Sequence, residues 1–516
     1  MTTQTISSGQ TVSDSTISSG NTQIVLAGGS AIDTAVLSGG TFVFAGGVVS
    51  GLTVSSGGNE DVTSGATVSG LVVGNGVGAT IDDYATADNA SIQSGGTLTI
   101  SGILNAGSGA TSGATVSNGG TLDILLGTAN DTTILSGGVV NLENGIIHIA
   151  NVSAGGKLEV SGGYAGQITV QSGGEADILG GSAGGILVSG GGSLVALAAV
   201  GDVTVLSGGM VTAATALSGV TLSSGGLETI VSAGGGGGSQ TIGAGARLVI
   251  SSGGGAGGLV LDGGTETLFA GASVFEQTVE SGGQLVFSGA TIGILTVGAG
   301  GYQSIGSGDF VSNSTVVSGA GVLTLLSGGQ LTSVTVSKGG ELIFDGGSAT
   351  SAVIASGGLE MVDEGATLSG RTVGKGVHLT VNSGGTATNM TLNSGSELVL
   401  RGGVIGGAAT FGSDATLTVN AALPIFAASK FKATNAIDLA SFKFSTSETL
   451  SFVENAANTS GVLTVTDGGM KARITLFGYY VAAGFQLSPD SAHGTAITTY
   501  YSPPSQISPD FAAAHR

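Results

Sequence analysis

Four consecutive stretches decide the fold: TLDILLGTANDTTILSGG (121–138), VVNLENGIIHIANVSAGG (139–156), KLEVSGGYAGQITVQSGG (157–174) and EADILGGSAGGILVSGGG (175–192). Each closes on glycine, so Gly120, Gly138, Gly156, Gly174 and Gly192 recur every 18 residues. A second turn follows seven residues later, at Gly127, Gly145, Gly163 and Gly181. The apolar residues keep the same step. Val116, Ile134, Val152, Val170 and Val188 form one column, Leu122, Val140, Leu158, Ala176 and Leu194 a second, and Ile124, Leu142, Val160 and Ile178 a third. Within a unit, apolar Leu158 and Val160 alternate with charged Lys157 and Glu159, the period of a half-buried strand. Short strands punctuated by glycine turns every 18 residues predict one coil of a parallel β-helix, not a helical repeat.

Outward from this core the turn pattern T-V-x-S-G-G recurs with small variations, at Thr53 to Gly58, Thr204 to Gly209, Thr278 to Gly283 and Thr335 to Gly340. A chain of 516 residues would normally divide into several globular domains, but a repeat array buries each unit against its neighbours. The expected architecture is all-β, a parallel β-helix (β-solenoid) of either hand. It would have about 22 coils of 18–19 residues over 1–423 and a small C-terminal β-rich module. Glycine supplies the sharp corners, and 100 of the residues are Gly, far above the usual share of about 7%. Proline would remove a ladder donor, and none occurs before Pro424.

Composition excludes some functions. Only 9% of residues are charged and 41% are hydrophobic, which argues against a disordered linker. The net charge of −21 argues against nucleic acid and anionic lipid as partners. There is no cysteine for disulfides or thiolate chemistry. No apolar run reaches the roughly 18 residues of a membrane helix, and the first residues read as no secretory signal. Six acidic and six basic residues balance after 424, so the net charge belongs to 1–423. The segment 424–501 therefore reads as a cap or secretion module, and 502–516 as a disordered tail.

The repeated turns Ser55-Ser56-Gly57-Gly58 and Ser223-Ser224-Gly225-Gly226, at 18–19-residue spacing, resemble the AIDA-type repeat of autotransporter adhesin passengers. That resemblance, over most of 1–410, implies an extracellular or cell-surface adhesin. It would act in adhesion, aggregation or biofilm contacts, with a cell-surface receptor, a glycan or like molecules on neighbouring cells as partners. It further implies Ser56 and Ser224 as glycosylation acceptors for a glycosyltransferase. The family's translocator β-barrel has no counterpart in the last 93 residues. Residues 435–500 instead look like the C-terminal segment of large secreted repeat proteins, which implies dedicated secretion machinery.

Parallel β-helices also carry polysaccharide lyases and glycosidases, so catalytic constellations need weighing. Asp123, Asn141, Glu159 and Asp177 fall in one column at period 18. The first reading is a solvated acidic ladder, supported by Lys157 and Glu175 in a neighbouring column; ion or sugar contact, or a carboxylate pair for catalysis, are the alternatives. Glu60, Asp61, Asp82, Asp83 and Asp88 form a second acidic patch where the repeat is less regular, and read as a solvated loop or insertion. His148, His378, His493 and His515 show no metal-ligand spacing, and the run Gly234 to Gly238 is no phosphate loop. No catalytic, cofactor-binding or metal-ligating residue is expected. Phe42, Phe287 and Phe344 occupy strand positions and read as core. A purely structural spacer is the remaining reading.

Overall fold

The computed structural model describes residues 1–63, 65–100, 103–105, 113–215, 217–231, 238–287, 289–421 and 424–500. The tail 502–516, with His515, and most of the glycine run from Gly234 lie outside the described residues. The chain forms two compact units. Met1–Phe275 with Gln284–Phe287 make the first, and Glu276–Gly283 with the residues from 288 onward make the second.

In the first unit, the quoted repeats form the coils their period predicts. One coil contains strands Thr121–Ile124, Thr128–Ala129 and Thr132–Ile134; the next contains Val139–Leu142, Ile146–Ile147 and Ala150–Val152. They stack in parallel with Leu122 opposite Val140, then Val140 opposite Leu158, Leu158 opposite Ala176 and Ala176 opposite Leu194. Sixteen strands build this sheet, from Thr3–Ile6 to Gln284–Phe287. The columns led by Val116, Leu122 and Ile124 are fully buried, so stacked Val, Ile and Leu fill the interior. Each buried aliphatic side chain contributes about 1.5–3 kcal/mol. Phe42 and Phe287 here, and Phe344 in the second unit, are core residues, as their strand positions predict.

Register also locates the irregularity. Thr97 pairs with Thr121, a step longer than any other in this sheet, while Ile103–Asn105 keeps an ordinary pairing with Thr86–Asp88. The patch at Glu60 and Asp61 is regular instead. Asn59–Val62 is an ordinary strand between Thr41–Ala45 and Gly78–Ile81, Asp82 and Asp83 sit at a corner, and Asp88 ends strand Thr86–Asp88. The expectation of a loop there is corrected: Glu60 shares the inward parity of Val62, and backbone pairing holds it inside.

In the second unit eight strands stack in parallel, from Tyr302–Ile305 to Ala436–Leu439. Thr495–Thr499 then adds antiparallel to Ala436–Leu439, and Phe485–Pro489 pairs antiparallel with it. A meander of Thr449–Glu454, Ser460–Asp467 and Met470–Phe477 closes the other side, its last strand lying parallel to Ile425–Ser429. Phe452, Tyr480 and Phe485 form one aromatic cluster with centroids 5.2–6.2 Å apart, and the Tyr480 hydroxyl donates to the Phe431 carbonyl at 3.1 Å. The stacked edge is thereby paired instead of left open. Among the described residues, no helix is long and apolar enough to cross a membrane.

Candidate functional site: the corner and side-chain ladders

The glycine corners, most of them S-G-G or a close variant, generate a continuous external ladder. Gly39 N–H donates to Gly57 O at 2.7 Å, Gly57 to Gly76 at 2.7 Å, and Gly76 to Gly95 at 2.9 Å. Gly39, Gly57 and Gly76 face Ser19, Ser38 and Ser56 of the preceding coil, while Gly95 faces Asn75. A Cβ on Gly245 would come within 2.9 Å of Ser224 Oγ, and one on Gly76 would collide with Ser56 Oγ. Gly76 and Gly245 have positive φ, 69° and 75° respectively, which other residues adopt only with strain. Ser56 and Ser224 are exposed at their corners. Glycine therefore both bends the chain and seats the neighbouring hydroxyl.

The acidic column is built as its spacing predicts. Asp123 pairs in register with Asn141, Asn141 with Glu159, and Glu159 with Asp177. Asn141 Nδ2 donates to Asp123 Oδ1 at 2.8 Å. Lys157 reaches Asp177 at 2.8 Å, Glu175 at 3.5 Å and Glu159 at 3.8 Å. The hydrogen bond to Asp177 holds the Lys157 ammonium above the ordinary lysine range. Asp177 departs from the expected solvated ladder: it is buried, flanked by Glu159 and Val195 on adjacent coils and held by Lys157. Lys157 forms the pair with Glu175 that the sequence suggested, but its closest partner is Asp177.

The histidines stay apart. His378 Nδ1 lies 2.7 Å from Glu397 Oε2, and His148 and His493 are exposed at turns. Among the described residues, no group of three or more His, Asp or Glu is placed to hold a metal ion.

Sequence reasoning missed a set of inward-facing acids. Glu60, Glu228 and Glu360 occupy the core parity of their strands and are at most 3% exposed. Burial pushes Glu60 up to about 7, with the neighbouring Asp61 adding to the shift, and Glu228 up to about 8. Glu360 is raised by burial against the opposing pull of Arg371. Strand parity was the available signal, since Glu60 precedes Val62 by two and Glu228 precedes Ile230 by two.

No protein-family model matches the chain, and no curated protein does. Among solved structures, the crystal structure of a TibC-catalyzed hyper-glycosylated TibA fragment is 26% identical over 69% of this chain and 97% of that one, with a TM-score of 0.25.

Proposed function

We propose that the chain is a surface or secreted repeat adhesin whose coils display polar ladders to cells or matrix. The observation that carries this reading is the external corner ladder, in which exposed hydroxyls such as Ser19, Ser38, Ser56, Ser207 and Ser224 return from coil to coil. Repetition of one modest contact raises avidity without any deep pocket. The AIDA-like turns support the same reading. Ser56 and Ser224 are our candidate acceptors for a glycosyltransferase, because a transferase can reach an exposed corner. A C-terminal module at 424–501 is our candidate for engagement by secretion machinery.

A glycosidase or lyase is the rival. Its best carboxylates, Glu159 and Asp177, are both engaged by Lys157, which favours a structural over a catalytic role for them. The test is to delete the gene in the native host and compare aggregation and surface attachment, with complementation by the full chain. Attachment should fall and return with complementation. Unchanged attachment, together with turnover of a polysaccharide by the purified chain, would replace this reading with the enzymatic one.

A further inference from the structure

Two segments exactly 300 residues apart are copies of one another: SGGNEDVTSGATVSGLVVGNGV (56–77) and SGGLEMVDEGATLSGRTVGKGV (356–377), identical at 14 of 22 positions. Both carry the inward glutamate, as Glu60 and Glu360, each opposite a residue eleven positions on. In the second copy that residue is Arg371. Its Nη2 lies 2.8 Å from Glu360 Oε1, and its Nη1 donates to the Ala352 carbonyl. In the first copy the same place holds Leu71, and no cation reaches Glu60 among the described residues.

The cavities differ accordingly. Arg371 lines one of about 150 Å³ with Phe344, Ala352 and Leu368. Glu60 lines one of about 240 Å³ with Phe44, Leu52, Val68 and Leu71, the counterparts of those residues. Glu60 is 3% exposed, its Oε2 is buried without a hydrogen-bond partner, and it is the only ionisable residue lining the cavity among those described. Exposed Ser69, Gly70 and Val72 also line it, so it reaches solvent. A buried carboxylate without a partner is costly, and a matching cation relieves that cost.

We propose that the Glu60 cavity is a binding site for a guanidinium group, which takes the place that Arg371 fills in the duplicate. The carboxylate of Glu60 supplies one charged acceptor, as Glu360 does through a single oxygen, and the position of Leu52 matches that of Ala352, whose carbonyl is the second acceptor in the duplicate. Apolar walls of Phe44 and Val68 suit the weakly hydrated faces of the guanidinium plane. The guanidinium comes either from a small guanidino solute or from an arginine side chain of a partner.

The test is calorimetric titration of the full chain with methylguanidinium chloride, with capped arginine amide and methylammonium chloride as parallel probes. One saturable equivalent of methylguanidinium is expected. Glu60→Gln should weaken it at least tenfold, and Leu71→Arg should abolish it by filling the site in cis. Tighter binding of capped arginine would assign the site to a partner's side chain, and tighter binding of methylguanidinium to a free solute. Absence of saturable binding, equal affinity in Glu60→Gln, or preference for methylammonium would overturn the proposal.

Discussion

The Lys157 ammonium lies 2.8 Å from the Asp177 carboxylate of the next coil, although three carboxylates are within its reach. Asp177 is buried while Lys157 is partly exposed, so the pair is worth more than two solvated charges and less than a dry one. Lys157→Ala should cost about 1 kcal/mol in low-salt denaturant melts, shrinking as salt is added. A loss unaffected by salt would show that packing of the lysine stem accounts for the cost.

Val152 sits fully buried between Ile134 and Val170. Val152→Asp should destabilise the fold by several kcal/mol, roughly 3 to 5, because it buries an unpaired carboxylate in an aliphatic column. Equal mildness of this change and Lys157→Ala would contradict the assignment of the inward column.

Gly76 at positive φ is seated against Ser56. Gly76→Ala should cost about 2 kcal/mol, combining left-handed strain with collision. Ser56→Gly should recover part of that loss. The recovered part, measured by a double-mutant cycle, reports the Ser–Gly contact, and strict additivity would show that strain alone sets the cost.

Glu228 binds its proton more tightly in the folded chain than in the unfolded one, since burial raises it from 4.5 to about 8. The folded state therefore holds more protons between these values, and stability falls as pH rises from about 4.5 to about 8. Glu60 adds to the same slope up to about 7. Glu228→Gln removes its share and should stabilise the chain by roughly 2 to 4 kcal/mol at pH 9, with little change at pH 4. Denaturant midpoints across this range measure it, and a wild-type midpoint that rises with pH would refute it.

The aliphatic interior was legible because Val, Ile and Leu repeat at both the coil period and the strand period, as Leu158 and Val160 show. The corners were legible for the same reason, since Gly156 and Gly174 return with the coil. Glu60 was not, because an acid is read as solvated unless its parity with Val62 is given more weight than its charge. The long step between Thr97 and Thr121 was also hidden, since only backbone register separates an insertion from an imperfect repeat. The ladder from Asp123 to Asp177 was placed correctly in register, but the burial of Asp177 depends on where the flexible Lys157 side chain settles, which spacing does not encode.

Adhesion through repeated surface ladders is most directly tested with beads coated with the purified full chain and washed over host or sibling cells under flow. Retention should exceed that of uncoated beads and rise steeply with coating density, as many weak contacts require. Retention equal to that of uncoated beads at every density and on every cell type would contradict the account.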